Sequence, residues 1–139
     1  MRLHRLWVPL LAGLLAVCAC FAPKPFKKNA GKTVFTREAT SRSHEVSLGE
    51  TFRIELPANA TTGYEWKFKE LDGNLLRVDS SGYDRSSNPK LAGAGGTAWW
   101  ELRALQTGKT VLRLLYYRPW EGEAKSGDEF NLSLSVEKP

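Results

Sequence analysis

Three short segments of this chain carry residue types that suit recognition better than catalysis. Asn59-Ala60-Thr61-Thr62-Gly63-Tyr64 sets small hydroxyl side chains before a glycine and an aromatic ring. Gly93-Ala94-Gly95-Gly96 has almost no side chain, so a partner backbone could approach it closely. Arg118-Pro119-Trp120 places a tryptophan beside an arginine in a loop whose φ proline fixes. Arginine and tryptophan are favoured interface anchors, and an indole between Arg118 and Glu121 is costly to leave in water. Each segment also has a plainer reading. Tyr64 fits a core-edge aromatic as well as a contact, the glycines fit a hairpin connection, and Trp120 could fold back on the body of the domain. No lysine follows Gly96 in the manner of a phosphate-binding loop.

Catalytic chemistry is poorly supplied. Beyond residue 20 there is no cysteine and one histidine, His44. That excludes a Cys–His pair and a histidine-rich zinc site, and no metal or other cofactor is expected. His44 is read as a surface residue at a polar strand edge. The carboxylates Glu121, Glu123, Asp128 and Glu129 lie in a charged turn and by themselves mark nothing.

The segments need a scaffold, and the apolar pattern supplies one. Phe52, Ile54 and Leu56 alternate with polar neighbours, as do Tyr64, Trp66 and Phe68. The same period of two runs through Trp100, Leu102 and Ala104, through Leu112, Leu114 and Tyr116, and through Phe130, Leu132, Leu134 and Val136. Such alternation predicts half-buried strands, and turn residues at Gly49, Gly63, Asp72-Gly73 and Gly108 separate them. The expectation is an all-β chain, an immunoglobulin-like antiparallel β-sandwich of about seven to eight strands, with connecting loops gathered at one end. Trp66 belongs to its core.

The N-terminus differs in kind. Arg2 and Arg5 precede an uncharged apolar run from Leu6 to Val17, too short to span a bilayer and suited to a secretory signal. Val17-Cys18-Ala19-Cys20 resembles a bacterial lipobox, and Cys20, which follows a small residue, fits lipidation better than Cys18. The expected organisation is a lipoprotein signal peptide at 1–19, a lipidated Cys20 with a basic flexible tether at 20–43, and the domain at 44–139. Loss of the leader removes two basic residues and lowers the formal charge from +5 to +3. That excess is partly local, at Lys24, Lys27, Lys28 and Lys32, and suits anionic lipid better than nucleic acid. The predicted location is a bacterial cell envelope, lipid-anchored to a membrane, and the protein is expected to be monomeric.

In order and with strand-length gaps, the three segments resemble the motifs of the chagasin-like inhibitors of papain-family cysteine peptidases: N-P-T-T-G-Y/F, G-x-G-G and R-P-W. The resemblance covers roughly residues 44–137. It implies a non-enzymatic, reversible inhibitor whose partner is a papain-family cysteine peptidase. The contacts it implies are Asn59, Thr61, Thr62, Gly63, Tyr64, Gly93, Gly95, Gly96, Arg118, Pro119 and Trp120. Thr61 and Thr62 would sit over the catalytic cysteine with the other two loops gripping the cleft. Ala60 departs from the family's proline and removes one fixed φ from the loop. The competing class is an immunoglobulin-like surface lipoprotein, an adhesin or envelope assembly module, that turns the same aromatic loops toward another protein or a glycan.

Overall fold

The computed structural model describes residues 32–86 and 95–139. The leader, Cys20 and most of the expected tether lie outside those residues, as do Gly93 and Ala94. Eight strands follow in chain order: β1 (Thr33–Phe35), β2 (Ser43–Ser47), β3 (Thr51–Ala58), β4 (Glu65–Glu70), β5 (Leu76–Arg85), β6 (Gly96–Ala104), β7 (Gly108–Tyr117) and β8 (Asp128–Glu137). They form two four-stranded sheets, β1-β3-β6-β5 and β2-β8-β7-β4.

The alternating residues become the facing layers of this sandwich. Phe52, Ile54 and Leu56 from β3 lie fully buried opposite Leu112 and Leu114 from β7 and Leu132 from β8. Burial of one such side chain is worth about 1.5–3 kcal/mol, so the two inner faces hold the domain together. Trp66 is buried as expected, and its indole Nε1 donates to the Pro57 carbonyl at 2.9 Å. That bond crosses from β4 to β3 and joins the two sheets just below the loop that connects them.

The chain departs from expectation at its beginning. The sheets are mixed rather than wholly antiparallel, because β1 runs parallel to β3 and β2 parallel to β8. The folded domain also starts before residue 44. Thr33 pairs with Phe52 and Phe35 with Ile54, and a 3-10 turn at Arg37–Ser41 carries the chain from one sheet to the other. Phe35 and Ala39 are buried, so residues 33–43 belong to the sandwich and not to a tether. His44 is half-buried rather than a surface residue. Its ring packs edge-on against Phe35 at 4.9 Å between centroids, and Nε2 lies 3.0 Å from the Ala39 carbonyl oxygen.

Strand polarity fixes the two poles of the molecule. β3 ends at Ala58 and β7 at Tyr117, while β6 begins at Gly96, so the three candidate loops emerge at one pole. The β2–β3 and β6–β7 turns lie at the other.

Candidate functional site

The threonine loop is held by its own side chains. Asn59 Oδ1 accepts from the Thr61 amide at 3.1 Å and from Thr61 Oγ1 at 2.7 Å. Thr62 Oγ1 donates to the Asn59 carbonyl at 2.7 Å. These bonds close a single 3-10 turn over Ala60–Thr62 that ends on Gly63 in the left-handed region, at φ +78°. An asparagine side chain thus supplies the order that proline would otherwise provide, by hydrogen bonds to the next turn of backbone. Ala60, Thr61 and Thr62 remain exposed at the tip.

The tryptophan loop is built against the threonine loop. Arg118 Nε donates to the Thr62 carbonyl at 3.0 Å, and its guanidinium lies 4.7 Å from the Tyr64 ring centre. A second nitrogen of the same group donates to Glu121 at 3.2 Å. Arg118 therefore clamps two loops while its charge is balanced locally by Glu121. Tyr64 is neither core nor free: it is half-buried, between Arg118 and Tyr116, whose ring centre is 5.2 Å away. Trp120 is 71% exposed, so it has not folded into the sandwich. One edge of its indole nevertheless rests on Gly63, where an added Cβ would come within 2.3 Å of Cη2.

Gly63 thus answers to two demands, a positive φ and a tryptophan overhead. Gly63→Ala is expected to displace the indole of Trp120 and to cost about 1–2 kcal/mol of stability from the left-handed backbone alone. Tryptophan fluorescence and a melting curve measure the two effects, and unchanged values for both would show that Trp120 is not seated on this loop.

The third segment arrives beside the first. Gly96 pairs with Ala58 on one side and Arg85 on the other. A Cβ at Gly96 would lie 2.2 Å from the Asp84 carbonyl oxygen and 2.7 Å from the Tyr83 ring, so only glycine fits between these strands. Gly95 accepts from the Ser86 amide at 3.2 Å and closes the base of its loop. The structure therefore brings together Asn59, Thr61, Thr62, Gly63, Tyr64, Gly95, Gly96, Arg118, Pro119 and Trp120 at one pole. Gly93 lies outside the described residues.

Tyr116 was not among the expected site residues, yet it underlies two of the loops. Its hydroxyl accepts from the Asn59 amide at 2.8 Å, and its ring stacks on both Tyr64 and Trp66. A signal for it exists in the sequence: a tyrosine ending an inward-facing row of leucines must find a partner for its hydroxyl. Asp128 flanks the same surface. The Arg37 guanidinium, hydrogen-bonded to it, holds the Asp128 carboxyl below the usual carboxylate range, so the pair stays ionised at neutral pH and is lost only as pH falls through that depressed value.

The family model described as Chagasin family peptidase inhibitor I42 matches residues 45–134. The chain belongs to the chagasin family. Chagasin of Trypanosoma cruzi is 32% identical over 96 residues, covering 66% of this chain and 86% of that protein. The crystal structure of a cysteine protease inhibitor from Entamoeba histolytica shares the fold at a TM-score of 0.69, with 22% identity over 76% of this chain and 95% of the other. PbICP-C, solved in complex with falcipain-2, shares it at a TM-score of 0.51 and 18% identity, covering 76% and 91%. Members of the chagasin family are peptidase inhibitors rather than enzymes.

Proposed function

We propose that this chagasin-family chain inhibits papain-like cysteine peptidases reversibly by filling the active-site cleft with three loops, Asn59–Tyr64 at the centre and Gly93–Gly96 and Arg118–Trp120 to either side. The observation that carries this reading is Trp120, held on Gly63 with most of its surface in water. A fixed, exposed indole loses little conformational entropy on binding and buries a large apolar area. The threonine loop complements it, since its tip is narrow, already ordered and free of charge. In this reading Thr61 and Thr62 occupy the catalytic centre.

Thr62→Glu tests the central loop. A charged, longer side chain at the tip is expected to raise the inhibition constant against papain at least tenfold, through steric conflict and desolvation of the carboxylate in a narrow cleft. The melting curve should stay within a few degrees of the parent because Thr62 is exposed. Parent-like inhibition by a folded Thr62→Glu chain would remove this loop from the cleft.

The same proposal includes export and anchoring at a bacterial envelope through lipid on Cys20, with a monomeric inhibitory domain. Cys20→Ser should release the protein from membranes and leave its inhibition constant unchanged. Fractionation of cells that express the two forms decides this. Retention of Cys20→Ser with Cys18 intact would assign attachment to Cys18 or to another mode.

A further inference from the structure

Thr33, where the described chain enters the sandwich, lies at the pole opposite the three loops. Its hydroxyl donates to Glu50 at 2.7 Å, and Glu50 also accepts from the Ser47 amide at 2.8 Å, so the entry point sits against the β2–β3 turn. That turn exposes Leu48, and the adjoining β6–β7 turn exposes Leu105. The two leucines belong to one surface. Gly49 N bonds to the Ala104 carbonyl at 2.9 Å, and the Leu48 amide bonds to the Glu137 carbonyl at 2.8 Å. Lys109 and Lys138 are exposed at the same pole and form no ion pair among the described residues. Glu50, Asp72 and Glu137 lie at the same pole and keep their charge, each hydrogen-bonded to neutral groups, so the basic character on this side comes from the tether rather than from the pole.

We infer that this pole rests on an anionic lipid surface, with Leu48 and Leu105 dipping toward the headgroups and the three inhibitory loops facing away from the membrane. The inference rests on lipid attachment at Cys20. Eleven residues, 21–31, separate that cysteine from the described chain and carry Lys24, Lys27 and Lys28. Fully extended they reach at most about 40 Å. The eight residues of β3 run from this pole toward the loops and measure roughly 26 Å. A tether entering at the leucine pole therefore lets that pole settle on the bilayer with slack. To bring the loops to the bilayer, most of its length would have to run along the domain. Lys24, Lys27 and Lys28 of the tether favour an anionic surface on the side where the chain enters, and a bilayer matches two separated leucines better than a deep protein pocket does.

The test uses the acylated full-length chain in vesicles of phosphatidylglycerol and phosphatidylcholine, with an environment-sensitive fluorophore on Gln106→Cys at this pole or on Glu121→Cys at the other. A quencher attached to lipid headgroups should quench the label at 106 several-fold more than the label at 121. Leu48→Ser combined with Leu105→Ser should reduce that difference, while co-sedimentation and the inhibition of papain stay at parental levels. Equal quenching at both positions, with the protein still co-sedimenting, overturns the orientation and leaves the anchor standing. A parent chain that remains in the supernatant overturns the anchor and this inference with it. Crosslinking of two copies through residue 106 without lipid quenching would assign the pole to self-association and overturn it as well.

Discussion

Trp120→Ala is expected to weaken inhibition of a papain-like peptidase by about 2 kcal/mol or more, roughly thirtyfold in the inhibition constant, with an almost unchanged melting curve. Both halves of this expectation come from one geometry. The indole is 71% exposed and takes no part in the buried cluster, so its removal costs the fold little. Its seat on Gly63 and the neighbouring Arg118 clamp hold it in one position, so a peptidase that covers it gains apolar burial without first ordering the side chain. The measurement is an inhibition constant against papain beside a thermal melt. A folded Trp120→Ala chain with parental inhibition would remove the tryptophan loop from the interface.

Trp66→Ala should behave in the opposite way. Trp66 is 6% exposed, stacks on Tyr116 at 4.9 Å and donates to the Pro57 carbonyl. Truncation leaves a cavity as well as an unpaired carbonyl, at a cost of about 3–5 kcal/mol. In a domain of this size that lowers the melting temperature by something on the order of 15 °C or more. Inhibition should fall only in proportion to the unfolded fraction, and at low temperature the remaining folded protein should still titrate papain. Trp66→Phe, which keeps most of the volume and the stacking, should recover the larger part of the loss. A melt of Trp66→Ala that matches the parent would mean that the indole does not support the sandwich.

The two tryptophans show why sequence separates some roles and not others. Trp66 lies in an alternating row and Trp120 in a proline-fixed loop, and that contrast alone sorts core from candidate contact. β3, β4, β6, β7 and β8 were legible for the same reason, since each buries one face against the opposite sheet. β1 was not, because a three-residue edge strand contributes only Phe35 to the interior and is flanked by polar residues. β5 was hidden by its exposure: after Leu76 and Val78 a bulge breaks the period of two, and apart from the half-buried Tyr83 the rest of the strand is exposed. The parallel direction of both N-terminal edge strands has no local signature at all. At the site, the motifs were legible as residues but not as an assembly. The bonds that unite them, Tyr116 to Asn59 and Arg118 to Thr62, join positions 57 and 56 residues apart. No local pattern encodes such a pairing.

The pairing of β2 with β8 bears on how the molecule is made. Ser43 lies opposite Ser133, so the second strand waits for the last one before it has a neighbour. Contacts this remote in sequence carry a loop-closure cost that must be met before they contribute, and all-β domains rich in them fold slowly, in milliseconds to seconds. Until β8 is available, one sheet lacks the strand that joins β2 to β7, although β1 can already pair with β3. Of the two sheets, only the one that holds β2 must wait for the last strand of the chain before all its members can pair.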